Sequence, residues 1–439
     1  MKAWLRKWWV LLLLAVGCVA LLSTWGSKPT VVRHFRFGPP LPDGRMRPQL
    51  TCSWDAVVLL APDGSLWAWG GAKGRLGGIL ASPVLSTKPL RVGTESDWQR
   101  VAVANSTMLA VKTNGTLWGW GYSQEGELLT KSKTALLPPT QLGSDTDWTD
   151  VHVGHGHVLA LKRDGSLWAW GRNTYGAVGD GSGTNVLVAT HINPGAKWIA
   201  VVGPAFNSFG IQTDGTLWGW GLDLLSGSKK NLLAPTLLDP ATNWVSLAAG
   251  DFSVLAVKAD GTLWLSGQNA RHFASGSGAT SGLGMAQIGT DTDWREVHGG
   301  QGYFIARKAD GSWWGSGNNQ HGELGLGYAS RSHVPMPTQL PLHFDPWAFA
   351  TGEGSTTALL GKDGTVWTWG VRAGEPEGRS LIDRLREWWA HKTSSGAGVS
   401  FSYNPVFVHD TQPHFVWELP ASVKSALGTN VPSQSKSPP

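Results

Sequence analysis

The chain has 439 residues, with 36 Lys and Arg against 31 Asp and Glu, a formal charge of +5. Lys2, Arg6 and Lys7 precede an apolar run, so beyond residue 27 the balance is only +2, which gives no support to a nucleic-acid-binding surface with its concentrated basic face. Charged residues are 15 % of the chain, too few for a disordered polyelectrolyte, while 58 Gly and 27 Trp point to many tight turns and large ring-filled layers.

Residues 1–27 read as a signal peptide or a membrane anchor. Three positive charges are followed by the uncharged stretch Trp8 to Leu22, an apolar leader helix of secretory type. Positive residues stay on the cytoplasmic side, so everything after residue 27 is expected to be exported. The expected location is the cell envelope, periplasmic or otherwise extracytoplasmic, either secreted or anchored. If the leader is retained, residues 8–25 would contact the membrane. Ala15-Val16-Gly17-Cys18 is similar to a bacterial lipoprotein cleavage box, so cleavage, retention and lipidation at Cys18 stay open. The remaining cysteine is Cys52, so the exported part has no disulfide framework and must rest on its own core. Residues 28–44 read as a linker or a closing strand.

From residue 45 to 420 one unit recurs seven times. An Asp/Asn-Gly pair stands at Asp63, Asn114, Asp164, Asp214, Asp260, Asp310 and Asp363. Four residues on is always a tryptophan: Trp67, Trp118, Trp168, Trp218, Trp264, Trp314 and Trp367. Six on is a second one in Trp69, Trp120, Trp170, Trp220 and Trp369, with Ser266 and Ser316 in the other copies. Sixteen before the pair is a third: Trp98, Trp148, Trp198, Trp244, Trp294 and Trp347.

Each unit reads as strands. Asp-Gly between runs such as Val158–Leu161 and Leu-Trp-x-Trp-Gly is a strong hairpin signal, and predicts a type I′ turn with positive φ at both central residues. Segments such as Thr140–Leu142 and Thr338–Leu340, and those after each Asp-Trp, supply the other two strands. Four short strands per unit of about 50 residues, seven times over, predict an all-β, seven-bladed propeller with four-stranded antiparallel blades. The tryptophans four residues after each turn are assigned to the structural core between blades. The first copy has Arg47 where the others carry the preceding tryptophan, and a spare one, Trp417, stands near the end. Residues 413–419 are therefore expected to complete the first blade, with Val31–Phe37 as the competing strand.

Between Gly370 and Pro405 the seventh copy gains about twenty residues. Ser380 and Asp383 suit a capping box, and Leu381, Ile382, Leu385, Trp388 and Trp389 fall at helical spacing, predicting a helical insertion over about 375–392. Residues 421–439, rich in Ser, Pro and Lys, are expected to be a disordered tail.

The unit ending in Gly-x-Asn-x-x-Gly-x-Leu-Gly, best seen in Ala309–Gly327 and Arg163–Gly181, resembles the regulator-of-chromosome-condensation repeat, in the Trp-rich form of its bacterial members. The resemblance covers roughly residues 45–420. It implies a rigid ring whose face loops grip another protein. A guanine-nucleotide-exchange role follows as an alternative by family analogy, although export would remove a cytosolic GTPase from reach.

No nucleophile elbow, phosphate loop or paired-zinc spacing is present, and no cofactor is called for. His152, His155 and His157 are the one cluster of ligating type. His155 and His157, two apart, would share a strand face and suggest a second alternative, a metal-assisted hydrolase. A polar strand end at the blade rim is the plainer reading, and no metal site is assigned. The loops after each Trp-Gly vary most and suit recognition. The residues expected to bind a partner are Tyr122, Tyr175 and His321 in those loops, with Arg384, Trp388 and Trp389 in the insertion. The sequence thus reads as an exported, non-enzymatic, monomeric binding platform for a protein or glycan partner.

Overall fold

The computed structural model describes residues 46–53, 56–70, 86–104, 106–130, 136–222, 230–250, 253–267, 285–342, 346–352, 355–372 and 408–424. The leader, residues 28–44 and the predicted helix over 375–392, with Arg384, Trp388 and Trp389, lie outside them. No helix among the described residues is long and apolar enough to cross a membrane.

The described residues form seven four-stranded antiparallel sheets, each a meander of consecutive strands. The third blade is typical: Trp148–Val153, His157–Lys162, Leu167–Gly171 and Val186–Ile192. Side chains alternate across each sheet, so every blade has two apolar faces that only its neighbours can cover. Seven layers of buried side chains fill the seven junctions. In one, Leu109, Val111 and Leu117 of the second blade meet Trp148, Val151 and Trp170 of the third. In the last, Leu360 and Val366 of the seventh meet Leu50 and Trp69 of the first.

The tryptophans divide their labour differently from the expectation. Those six after the turn and, Trp347 apart, those sixteen before it are the buried ones; Trp98, Trp120, Trp170, Trp220, Trp244, Trp294 and Trp369 are each under 2 % exposed. Those four after the turn, assigned to the core, are half-buried at the margin of the junction. Five of them pack edge-on against the preceding tryptophan of their own blade, as in Trp148–Trp168 at 6.1 Å. The cause is their place beside the hairpin turn, where the indole N–H finds a hydroxyl. Trp168 Nε1 donates to Ser166 Oγ at 3.1 Å, and that hydroxyl donates to Asp164 Oδ1 at 2.6 Å. All seven copies repeat this chain of bonds.

That carboxylate also corrects the turn type. None of the seven Asp/Asn residues has a positive φ; only the following glycine does, as in Gly165 at +81°. The loop is a type I turn closed by a glycine bulge, with Gly165 N–H donating to Lys162 O at 2.9 Å, rather than type I′. The Asp accepts from the backbone two residues on, which holds it in the right-handed region.

Ring closure departs from the expected scheme. Val408–Glu418 pairs with Thr365–Arg372 and is the outermost strand of the seventh blade, so residues 413–419 do not complete the first. The first blade draws all four strands from its own repeat: Gln49–Cys52, Ala56–Leu60, Leu66–Gly70 and Ser86–Val92. Trp417 nevertheless fills the gap left by Arg47, because its ring lies against Trp67 of the first blade. The chain then continues as a helical turn, Ala421–Lys424, whose Val423 is buried in the same junction.

The seventh copy carries one further displacement. Pro346 pairs with Gly361 where Trp294 pairs with Lys308 one blade earlier. A one-residue slip turns a side chain to the opposite face, so Trp347 packs in the junction with the first blade. The place it leaves is taken by Trp313 and Phe349, 4.3 Å apart between blades six and seven.

Candidate functional site

The innermost strands surround a narrow central channel lined by residues of every blade, among them Cys52, Val101, Val151, Val202, Gly250, Gly299 and Thr351. These are small or β-branched, and the channel, about 90 Å³, has little room for a ligand.

A larger cavity, about 290 Å³, opens on the face that carries the loops between first and second strands and between third and fourth strands. The second blade contributes Tyr122, Gln124 and Glu125, the third His155, Gly156 and Arg172, and the fourth Phe206. Phe206 is the hub. Its ring lies 5.1 Å from that of Tyr175 and 5.6 Å from that of His155. The Arg172 guanidinium lies over it, 5.1 Å from the centroid.

The backbone explains why these groups meet. Phe206 sits at the tip of a tight loop in which Asn207 N–H donates to Pro204 O at 2.9 Å and Ala205 is held at φ +33°. Such a conformation is costly for a residue with a Cβ. It is held by the neighbouring blade, because His155 N–H donates to Ala205 O at 3.0 Å. Arg172 N–H donates to Gly156 O at 2.7 Å, and Gly156 has φ +100°. A Cβ there would stand 3.1 Å from Arg172 Cβ and 3.2 Å from Glu125 Cγ, so only glycine lets these two stems flank it.

Glu125 Oε2 accepts from Asn185 Nδ2 at 2.8 Å. Glu127 lies beneath, 6 % exposed, and accepts from Glu125 N–H at 2.9 Å. Burial raises its carboxyl above the ordinary carboxylate range, against the lowering effect of those backbone bonds. Its loop also braces the next blade, since Trp170 Nε1 donates to Glu127 O at 2.8 Å. Trp220 bonds Ala177 O and Trp369 bonds Glu323 O in the same way.

Of the residues expected to bind a partner, Tyr122 lines the cavity, while Tyr175 packs against Phe206 without being part of the lining. His321 is in the corresponding loop of the sixth blade, where its N–H donates to Glu323 Oε2 at 2.9 Å, and does not line this cavity. The three histidines do not converge. His152 lines the channel and faces Asp150 at 3.6 Å. Burial opposes the Asp150 charge, but His152 and then Arg100 hold its carboxyl below the ordinary range. His157 is buried between blades three and four, with Nε2 3.0 Å from Ser208 Oγ. His155 sits in a bend rather than on the strand, so the period-two argument that paired it with His157 fails. Among the described residues no three His, Cys, Asp or Glu side chains are placed to hold a metal ion.

Sequence reasoning missed Phe206. A signal was present: four copies place Ser106, Gly156, Gly302 and Ser355 at its position, where this copy has a bulky ring, as does the next with Phe252.

Fold and repeat together define a ring of β-blades that presents loops on a rigid scaffold. The model of the regulator of chromosome condensation (RCC1) repeat matches residues 148–177, from the first strand of the third blade to its face loop. Among solved structures the chain is similar to yeast RCC1 (Prp20), seen bound to Kap60, with 16 % identity over 78 % of this chain and 83 % of that one and a TM-score of 0.60. It is also similar to human WBSCR16, with 17 % identity over 76 % and 84 % and a TM-score of 0.58. No curated protein sequence matches it. The described residues form a seven-bladed propeller, and one of its repeats, over residues 148–177, matches the regulator-of-chromosome-condensation model.

Proposed function

We propose that this propeller is an exported, non-enzymatic platform that captures a protein partner on the face bearing Phe206. The observation that carries the reading is the convergence of loops from three blades on one ring, flanked by Tyr175, His155 and Arg172. Half-buried aromatic and Arg side chains held on a rigid frame are the residue types that dominate protein interfaces. Export is supported by Lys2, Arg6 and Lys7 ahead of the apolar stretch Trp8 to Leu22. Prp20, which shares the fold, is known in complex with Kap60 and for its binding to Gsp1p and histones. That precedent shows what such a ring can do, while the partner of this chain is set by its own loops.

The test is capture from an envelope fraction with the tagged full-length chain and with Phe206→Ala. The reading expects a discrete protein retained by the first and lost by the second, with the two melting within a few degrees of each other. Equal retention by both would overturn the assignment of this face.

A further inference from the structure

The face cavity carries side chains of both signs, whose stems flank Gly156. The guanidinium of Arg172 lies over the Phe206 ring, 5.1 Å from its centroid, and no carboxylate of the described residues is within 4 Å of it. A guanidinium offers a planar fork of N–H donors that matches a carboxylate. The His155 imidazole stands against the same ring. Glu125, beside the Arg172 stem, gives one oxygen to Asn185 and is half-exposed. A second carboxyl group, that of Glu127, lies behind it. Tyr122, 36 % exposed, and Gln124 add neutral polar groups to the lining.

A ligand carrying only negative charge would meet Glu125 next to Arg172, and one carrying only positive charge would meet Arg172 next to Glu125. A ligand with both signs side by side complements the pair. The volume of about 290 Å³ suits one or two amino-acid side chains rather than a folded element. We infer that the cavity recognises a peptide segment of the partner in which a basic and an acidic side chain are neighbours, the acid on Arg172 and the base on Glu125, with Phe206 and Tyr122 covering the stems. This rests on the binding reading above and specifies its chemistry.

The inference is tested with the purified full-length chain on an array of blocked peptides of equal length. The peptides carry alternating Lys and Glu, Glu alone, Lys alone, or neither, each spaced with Gly and Ser. The wild-type chain is expected to be retained on the mixed-charge peptides about tenfold or more above the others, which corresponds to about 1.4 kcal/mol. Arg172→Glu is expected to move the preference to Lys-only peptides, and Glu125→Lys to Glu-only peptides. Thermal melts of both variants check that they fold. Wild-type retention on a single-sign peptide, or on none, or a preference that neither reversal moves, overturns the inference. Loss of envelope capture in Phe206→Ala alongside an unmoved charge preference would leave the binding face standing and remove only this account of its chemistry.

Discussion

The indole of Trp417 lies 4.8 Å from that of Trp67, with the planes inclined at 44°. One ring belongs to the last strand of the seventh blade and the other to the third strand of the first, so the ends of the chain are joined by side-chain packing rather than by a shared sheet. The end of that last strand is fixed within the seventh copy, where Leu419 N–H donates to Gly364 O at 2.9 Å.

Trp417→Ala is expected to destabilise the propeller by about 2–4 kcal/mol, since it removes a large ring from a junction that cannot collapse around the gap. Because Trp67 and Trp417 meet directly, their double-mutant cycle should show a coupling of about 0.5–1.5 kcal/mol. Denaturant melts of the two single variants and the double variant measure this. Strict additivity would place the rings in separate environments.

Lys112 is held between two indoles and two carboxylates. Its ammonium is 4.8 Å from the ring of Trp98 and 4.5 Å from that of Trp118, and lies 2.8 Å from Glu95 and 3.2 Å from Asp97. Lys162 and Lys308 repeat the arrangement in the third and sixth blades. Lys112→Met keeps the stem and deletes the charge, with an expected loss of about 1–2 kcal/mol. The two carboxylates are well solvated, so their share is screened by salt while the ring share is not. Melts in molar salt should therefore retain at least half of the difference.

Thr116→Ala should cost about 1–2 kcal/mol, because its hydroxyl both donates to Asn114 Oδ1 at 2.7 Å and accepts from Trp118 Nε1 at 2.8 Å. Thr116→Ser should restore most of the loss. If Ser fails to rescue, the methyl group rather than the hydroxyl is what matters at this site.

His157 gives the fold a pH dependence. Burial, and secondarily the neighbouring His155, push its imidazole down to about 3 from 6.5, so the native state holds it neutral. A base whose folded value is depressed contributes fully above the unfolded value and loses that contribution as pH falls. Stability should decline from pH 6.5 toward about 3, by up to about 1.4 kcal/mol per pH unit from this group. In His157→Gln the slope of stability against pH should be shallower over that window, measured by denaturant melts at each pH. Parallel slopes would show that the imidazole is solvated in the native state.

The number of blades and their strands were legible because an apolar alternation and a turn signal recur at near-constant spacing. Geometry that depends on one residue's slip was not. Trp347 keeps its interval in the sequence, yet the pairing of Pro346 with Gly361 places it on the opposite face. Trp417 was correctly read as the substitute for the ring missing at Arg47, but strand pairing, which sequence does not display, assigns it to the seventh blade. Tyr122 and Tyr175 were recognisable as variable loop residues. That they converge near Phe206 follows from loops on separate blades, and the bend at His155 that builds the cavity runs against simple strand alternation.

Amide hydrogen exchange of the full-length chain tests ring closure most directly. A ring closed at Trp67 and Trp417 predicts that the second strands of the first and seventh blades, Ala56–Leu60 and Thr356–Gly361, are protected to the same degree as His157–Lys162 in the third. In Trp417→Ala both should lose protection together. Early exchange of Ala56–Leu60 in the unaltered chain, with Thr356–Gly361 still protected, would mean that the ring is open at that junction and would contradict the account.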